Sequence, residues 1–561
     1  MLTNQQPRIH SDEEVSQYHE QGRYGTRLLV DYLDSHAKAA PEKIGIIEVD
    51  RSFTYQEIAR LSENVAASLV CMGVGKGDVV AVQAPNWAEL PIMHFATNRI
   101  GAIFVPLSEG FRRRELLHLL STTRVKVFLC PEVSRGFAFR EQIEEIRDTL
   151  PCLEHVITMR ATRRADDLTF EAMAAYEDWR AERGDGWLIA KRADADAPSH
   201  VMVSSGTTGL PRCSLFSDNN TIVKLFQQYV PAAAVTSSDI SAALAPAGTG
   251  ATGYNYPILL MLVVGGTSVM LDHWSGRDVG RALKMMHQHS CTHAVCVPAQ
   301  LAQLVQTANL SDYAICLRVI TYAGAKLPPS VANAAEQLFS CKVQGIYGTS
   351  EAGATAMTRV DDPGDKRRST VGRPVDGQRV KIIANDGTEL GVGEVGEVCW
   401  RGPNKSYGFL NDEEGTARVW GSHGWLHSGD LGCIDSEGYL SVVGRKKDMI
   451  IRGGQNVNPG AIEEVLLNHP EIAEVAIVAY ADAILGERIA ACVVAKGSCT
   501  VSLDSLKAAV LAHGMAAWHQ PELLLHVSEL PRNAGGKVDK NALSAMATAA
   551  CTTAADTSRV L

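Results

Sequence analysis

From residue 28 to residue 322 the chain repeats one texture: a short unbroken apolar run, then a stretch whose apolar residues recur every three or four positions. Asp78-Val79-Val80-Ala81-Val82 and Ala102-Ile103-Phe104-Val105 are runs of the first kind. Ile58, Leu61, Val65 and Leu69, following Phe53-Thr54-Tyr55, mark the second. The runs return at 200–204, 242–245, 267–271, 292–297 and 319–322. A strand that is apolar on both faces needs cover on both faces, and helices between parallel strands provide it. The expected fold class is α/β, with a large N-terminal domain of parallel-sheet layers. A length of 561 residues leaves room for further units.

The texture changes after about residue 370. Short strands at 380–383, 394–400 and 439–443 alternate with Gly- and Asp-bearing turns, which implies a β-rich subdomain. Beyond them the pattern predicts a helix over 461–468, with Ile462, Val465 and Leu466 on one face. Strands at 474–479 and 489–494, a helix at 503–513 and a strand at 523–527 follow. This is a small α+β C-terminal domain. The charged stretch Arg445-Lys446-Lys447-Asp448 reads as the linker, so the expected domains are 1–445 and 446–561.

Composition removes several function classes. Apolar residues at 46% and charged ones at 21% exclude wholesale disorder. Fifty-three Lys and Arg against 63 Asp and Glu leave a net charge of −10, without the basic footprint of a general nucleic-acid binder. Residues 240–271 carry no charge, but Pro246, Pro257 and several glycines interrupt them, so a buried part of the α/β core is expected rather than a membrane span. Thirteen cysteines lack a CxxC pair, and the opening MLTNQQPRIHSDEEV is too polar for a secretory leader. Reduced thiols and a cytoplasmic location are the expectation.

Local chemistry concentrates in a few segments. After the strand ending at Val203, the positions Ser204, Ser205, Gly206, Thr207, Thr208 and Gly209 are all hydroxyl or glycine, and Arg212 follows. Such a turn brings backbone N–H groups, hydroxyls and a cation together, which suits phosphate. It lacks the GxxxxGK[ST] of a Walker loop. In Gly345-Ile346-Tyr347-Gly348-Thr349-Ser350-Glu351, Tyr347 offers a flat face for a base, Ser350 a hydroxyl for phosphate, and Glu351 a hard oxygen ligand for Mg²⁺. The same stretch nearly spells a GxSxG nucleophile elbow, but its second glycine comes one place late. In Trp425-Leu426-His427-Ser428-Gly429-Asp430 the carboxylate of Asp430 can accept two hydroxyl protons. Gly453 and Gly454 allow a thin chain close to backbone. Lys537, in Pro531-Arg532-Asn533-Ala534-Gly535-Gly536-Lys537, would on its own read as a solvated loop lysine.

Together and in this order, these segments resemble the motifs of the adenylate-forming superfamily: acyl-CoA synthetases, aryl-acid AMP ligases, nonribosomal adenylation domains and luciferases. The similarity spans roughly residues 28–545. The resemblance implies that 204–209 hold the ATP phosphates and that Glu351 holds Mg²⁺. It implies that Gly324 and Ala325 lie beside adenine with Tyr347, and that Asp430 and Arg445 bind the ribose. It places a hinge at Lys447 and a thiol tunnel at Gly453 and Gly454. It makes Lys537 the bridge between substrate carboxylate and α-phosphate, with Ser350 and Glu351 beside it in catalysis. It implies a mobile C-terminal domain and the co-substrates ATP and CoA, or a carrier-protein phosphopantetheine in place of CoA. A homodimer is one assembly compatible with it. Two departures stand out: Cys213 replaces a glycine after the loop's cation, and Thr249 stands where many members carry an aromatic gate.

The segment after Pro246 bears on the acid. Gly250 takes the position at which amino-acid-activating members keep an Asp, so a substrate ammonium would have no partner. An acid without an α-amino group is expected: aryl, alicyclic or medium-chain, with Thr249, Gly250 and Gly253 lining the acyl pocket. Three other readings compete. Gly248-Thr249-Gly250-Ala251-Thr252-Gly253 spells GxGxxG after a strand, with Asp272 about 20 residues on, the pattern of an NAD(P)-dependent oxidoreductase. Against it, Pro257 falls inside the helix that should follow. His287, His289, Cys291, His293 and Cys296 crowd ten residues as zinc ligands might be arranged, yet alternation along a strand would split them between faces. A catalytically inactive scaffold is the third reading, opposed by the retained Glu351, Asp430, Arg445 and Lys537.

Overall fold

A computed structural model describes residues 10–161, 168–184, 186–204, 210–274, 279–307, 312–421, 424–453, 455–482, 484–497, 499–532 and 537–557. The chain gathers into two compact units, Met1–Val380 with Trp400–Leu426 and Lys381–Cys399 with His427–Leu561.

The first unit is built on two mostly parallel sheets, as the apolar runs require. One has nine strands among the described residues. Its interior, from Lys342–Thr349 through Val319–Ala323, His293–Cys296, Ile240–Ala243 and Thr267–Met270 to Ile44–Ile47, is parallel throughout. Its edges are antiparallel: Gly353–Met357 on one side and Ser52–Thr54 on the other. The other sheet runs Cys213–Ser217, Pro198–Val203, Ile103–Leu107, Val79–Gln83, Val127–Pro131, His155–Met159. All five residues of Val79–Gln83 are buried, as are all five of Ile103–Leu107. These are strands covered on both faces.

The helix Tyr55–Cys71 shows how local sequence sets these elements. Thr54 accepts from the Glu57 N–H while the Glu57 side chain returns to the Thr54 N–H, a capping box that starts the helix at Tyr55. Ile58, Val65 and Leu69 are then buried on one face. The charge-free stretch 240–271 is core, comprising the strands Ile240–Ala243 and Thr267–Met270 and the helix Leu260–Val264. No helix among the described residues is long and apolar enough to cross a membrane. All thirteen cysteines are free thiols.

In the second unit the tail sheet places Gly486–Ala495 beside Ile472–Asp482, Ile450–Arg452 and Leu523–His526. The helices Pro459–Leu467 and Leu503–Ala512 cover one face through Ile462, Leu466, Leu506 and Val510. Two tail elements escape the periodicity: the hairpin of Ile450–Arg452 with Gln455–Val457, and the helix Lys540–Thr557. The helix is rich in Ala and Thr, so its apolar face is faint, but Leu543 and Ala547 pack against Val478 and Tyr480. The four-stranded sheet Arg379–Ile383, Gly396–Arg401, Leu426–Ile434, Leu440–Arg445 is the β-rich part.

Candidate active site

The phosphate-loop candidate leaves the buried end of a strand. Ser204 follows Pro198–Val203; its N–H donates to the Arg212 carbonyl at 2.9 Å, and its Oγ accepts from the Arg212 N–H at 3.1 Å. Cys213 then pairs with Val203 as the chain returns antiparallel. The base of the loop is a closed hairpin; Ser205, Gly206, Thr207, Thr208 and Gly209 lie outside the described residues. The Arg212 guanidinium lies over the Phe409 ring, 5.0 Å from its centroid. Burial pushes the Cys213 thiol up to about 12, so it serves as a small apolar residue rather than a nucleophile.

The base and metal candidates sit on one hairpin. Tyr347 lies near the end of Lys342–Thr349, buried and edge-on to Trp400 at 5.9 Å. Ser350 and Glu351 form the tip before Gly353–Met357 returns antiparallel. A nucleophile elbow needs a strand, a turn and a helix; here a second strand follows, which removes the hydrolase reading. A Cβ on Gly348 would collide with the Gly353 carbonyl, so the tight turn explains both glycines. The Glu351 carbonyl accepts from the Ser406 N–H at 2.8 Å. Its carboxylate is half-buried, and among the described residues nothing hydrogen-bonds or ion-pairs to it. A hard, unengaged oxygen donor beside a hydroxyl suits Mg²⁺, which takes one or two carboxylates together with phosphate oxygens. Gly324, with φ +93°, and the exposed Ala325 turn the chain at the carboxyl end of Val319–Ala323. Ligands of open α/β sheets characteristically sit at that end.

In the second unit, register brings the two ribose candidates together. Asp430 on Leu426–Ile434 faces Arg445 on Leu440–Arg445, and Arg445 Nε lies 3.2 Å from Asp430 Oδ1. The Asp430 N–H donates to Ser428 Oγ at 2.9 Å, and Ser428 Oγ donates to the Val398 carbonyl at 2.6 Å, on either side of Gly429, which takes φ +68° within the strand. Lys447 is exposed in the short turn Lys446–Asp448. Gly453 turns between two strands at φ +56°, its N–H donating to the Leu485 carbonyl at 2.8 Å; Gly454 lies outside the described residues. Lys537 is half-buried, beside an antiparallel bridge between Arg532 and Val538 and a bond from the Asp539 N–H to the Pro531 carbonyl at 2.8 Å. Residues 533–536 are outside the described set.

The GxGxxG stretch takes a form other than a dinucleotide fingerprint. After Ile240–Ala243 comes a single 3₁₀ turn, Ala247–Thr249, then a π-helix, Ala251–Leu259, that contains Pro257. The fingerprint's α-helix is missing from its place. A Cβ on Gly248 would fall on the backbone of Leu107 and Ser108, and one on Gly250 would lie 3.2 Å from Met202 Cε. The close approach these glycines permit is to the protein's own atoms. Gly250 also holds φ +80° and ψ −133°, a conformation open to glycine. Gly248→Ala should therefore cost stability at the upper end of the ~1–3 kcal/mol typical of overpacking. Thermal unfolding reads this directly, and an unchanged midpoint would refute the packing account.

The His/Cys cluster is divided between a helix, a loop and a strand. Cys291, His293 and Cys296 are buried in the core, while His287 is exposed and bonds the Ala314 carbonyl. Among the described residues, the group with metal-ligating atoms within reach of one another is Glu397, Cys399 and His427. It lies on neighbouring strands, where no sequence spacing announces it, and Glu397 is already engaged by Lys446 Nζ at 3.1 Å. Sequence reasoning also passed over Lys224, a buried cation beside the acyl segment. Besides His293, three buried histidines stand in the first unit. Burial first, and then the Lys405 charge, lowers His10 to about 3; burial lowers His94 to about 3; burial, His94 and Lys224 hold His200 well below its ordinary value.

Comparison with known proteins shows the family to which these segments belong. The profile of the AMP-binding enzyme family matches residues 33–410, and that of the AMP-binding enzyme C-terminal domain matches 461–537. A medium-chain fatty-acid–CoA ligase of Escherichia coli is 30% identical over 94% of this chain and 92% of its own. A salicyl-AMP ligase / salicyl-S-ArCP synthetase of Mycobacterium tuberculosis is 30% identical over 95% of this chain and 93% of its own. The crystal structure of the anthranilate CoA ligase AuaEII in complex with anthranoyl-AMP shares the fold at a TM-score of 0.83 and 23% identity, covering 94% of this chain and 98% of that one.

Proposed function

The chain belongs to the AMP-binding enzyme family, and we propose that it joins a carboxylic acid lacking an α-amino group to coenzyme A by way of an acyl-adenylate. The observation that carries the reading is the hairpin tip at 347–351. There an aromatic face, a hydroxyl and an unengaged carboxylate follow one another at the end of a buried strand.

In the first half-reaction a substrate carboxylate oxygen attacks the α-phosphorus of ATP; the bond to the β-phosphate oxygen breaks and pyrophosphate leaves. Ser204 to Gly209 hold the departing phosphates, and Ser350 donates its hydroxyl to them. Glu351 would hold Mg²⁺, which when bound offsets phosphate charge. Asp430, oriented by Arg445, accepts the ribose hydroxyls. Lys537 holds the carboxylate against phosphorus. In the second half-reaction a thiol sulfur attacks the acyl carbon and AMP leaves with the electron pair of the carbon–oxygen bond. Lys537 has no part in this step; the C-terminal domain turns about Lys447 and presents Gly453 and Gly454 to the thiol arm.

Gly250 supports an acid without an α-amino group, since it offers no carboxylate to an ammonium. The relatives' names span fatty and aromatic acids and include both a CoA ligase and a carrier-loading enzyme. An acid panel scored by pyrophosphate release, with CoA or a carrier-protein phosphopantetheine supplied, tests the reading. Pyrophosphate release and a CoA thioester are expected. A thioester formed on the carrier alone would reassign the acceptor, and no pyrophosphate from any acid would overturn adenylation.

A further inference from the structure

Between the acyl-pocket segment and the metal-holding hairpin, the first unit buries a lysine that has no carboxylate partner among the described residues. Lys224 is 1% exposed and sits on a π-helix, Val223–Tyr229. Its stem occupies the space that Gly353 leaves by having no side chain, two residues after Glu351. Nζ lies 3.8 Å from the centroid of the Phe216 ring and 3.6 Å from Met202 Sδ. The same sulfur is 3.5 Å from Asn255 Nδ2, on the second π-helix, Ala251–Leu259. The Met202 methyl is the atom that a side chain on Gly250 would meet. An ammonium, an amide donor and the pocket glycine thus converge on one thioether.

This arrangement leaves donors short of acceptors. An ammonium has three N–H donors and a carboxamide two, and a thioether and an aromatic face accept weakly. Burial lowers Lys224 from 10.5 to about 7, with no neighbouring carboxylate to raise it. A lysine unpaired in such a place costs stability that an apolar residue of the same size would not. Two π-helices meet here, and that form concentrates at functional sites. The unmet demand is for oxygen.

We propose that Lys224, with Asn255 beside it, binds a second anionic oxygen on the acid substrate, remote from the carboxylate that is activated. The chemistry is that of an oxyanion on an otherwise apolar acid: a further carboxylate or an acidic phenol. Met202, unbranched and adaptable, shifts as the oxygen takes its place over Nζ. The proposal rests on the adenylating reading above and names the substrate class of that same site.

Two matched pairs test it by kcat/KM for pyrophosphate release: 3-nitrobenzoate against 4-hydroxy-3-nitrobenzoate, whose phenol is ionised near neutral pH and lies across the ring from the carboxylate, and hexanoate against hexanedioate. The full chain should favour the member with the second oxyanion in at least one pair. Lys224→Met should lower that preference roughly 10- to 100-fold, the worth of a hydrogen bond to a charged group, and leave the plain acid within about threefold. A change in the ring pair identifies a phenol, and a change in the chain pair a carboxylate. Among the described residues Lys224 makes no ion pair, so Met is expected to fold; Lys224→Gln, which keeps an N–H donor and loses the charge, carries the same comparison if it does not. An unchanged preference overturns the proposal. So does an equal loss on both members, which would place Lys224 on the reacting carboxylate or the phosphates. No pyrophosphate from any acid overturns the adenylating reading, and the proposal with it.

Discussion

Lys537→Ala is expected to lose about 10²-fold or more of adenylate formation and to keep thioester formation from supplied acyl-adenylate. Negative charge accumulates on the α-phosphate oxygens as the carboxylate attacks, and a positioned ammonium stabilises that charge more than it stabilises the ground state. The bridge between Arg532 and Val538 fixes the base of the loop that delivers it. In the proposed second half-reaction, thiol attack develops charge on the acyl oxygen and the departing phosphate, and this side chain is assigned no part in it. The mirror variant is Lys447→Pro, which locks φ at the proposed pivot. It should spare pyrophosphate release and slow thioester formation. Equal damage to both half-reactions by Lys537→Ala, measured with separate pyrophosphate and thioester assays, would contradict the division of labour.

The second large effect is on stability in acid. His10, His94 and His200 are buried and fitted as neutral rings: His200 has Ser199 Oγ 3.0 Å from Nδ1 and Thr221 Oγ1 3.1 Å from Nε2, and His94 Nδ1 lies 2.9 Å from the Tyr254 hydroxyl. The unfolded chain protonates each near 6.5, whereas the folded chain holds His10 and His94 neutral down to about 3. Below pH 6.5 the unfolded state therefore binds more protons than the folded one, and acid favours it. The stability is complete above 6.5 and is lost as pH falls from there toward 3. Each histidine contributes a slope of about 1.4 kcal/mol per pH unit once well below 6.5. Three together approach roughly 4 kcal/mol per unit, against a total stability of about 5–15 kcal/mol for a domain. Denaturation in urea at pH 7, 6, 5 and 4.5 should show the unfolding midpoint dropping steeply below pH 6. His200→Gln should flatten the slope by one proton. A midpoint constant from pH 6.5 to 5 would rule the account out.

Much of the fold was legible because it is written in short-range periodicity. The buried strands Val79–Gln83 and Ile103–Leu107 and the capped helix Tyr55–Cys71 follow from residues within a few positions of one another. The helix Lys540–Thr557 was not legible, since alanines mark a face weakly. For the site, the Ser/Thr/Gly loop, Tyr347, Glu351 and Asp430 stood out because the chemistry of phosphate, base, metal and ribose restricts residue type at close spacing.

Local pattern thus dictated most of the strands and helices and the kinds of ligand this chain is proposed to hold. Partnership between distant residues came from the way the sheets are ordered and registered. Asp430 meets Arg445 because two strands pair in one register out of several possible ones. Gly248 is small because Leu107 and Ser108, far away in the chain, press against it. Lys224 looks in sequence like any solvated lysine; only the packing of Phe216, Met202 and Gly353 around it makes it a cation without water. Periodicity constrains which face of an element is buried, but not which other element covers it. Burial, charge pairing and steric room are properties of that second choice.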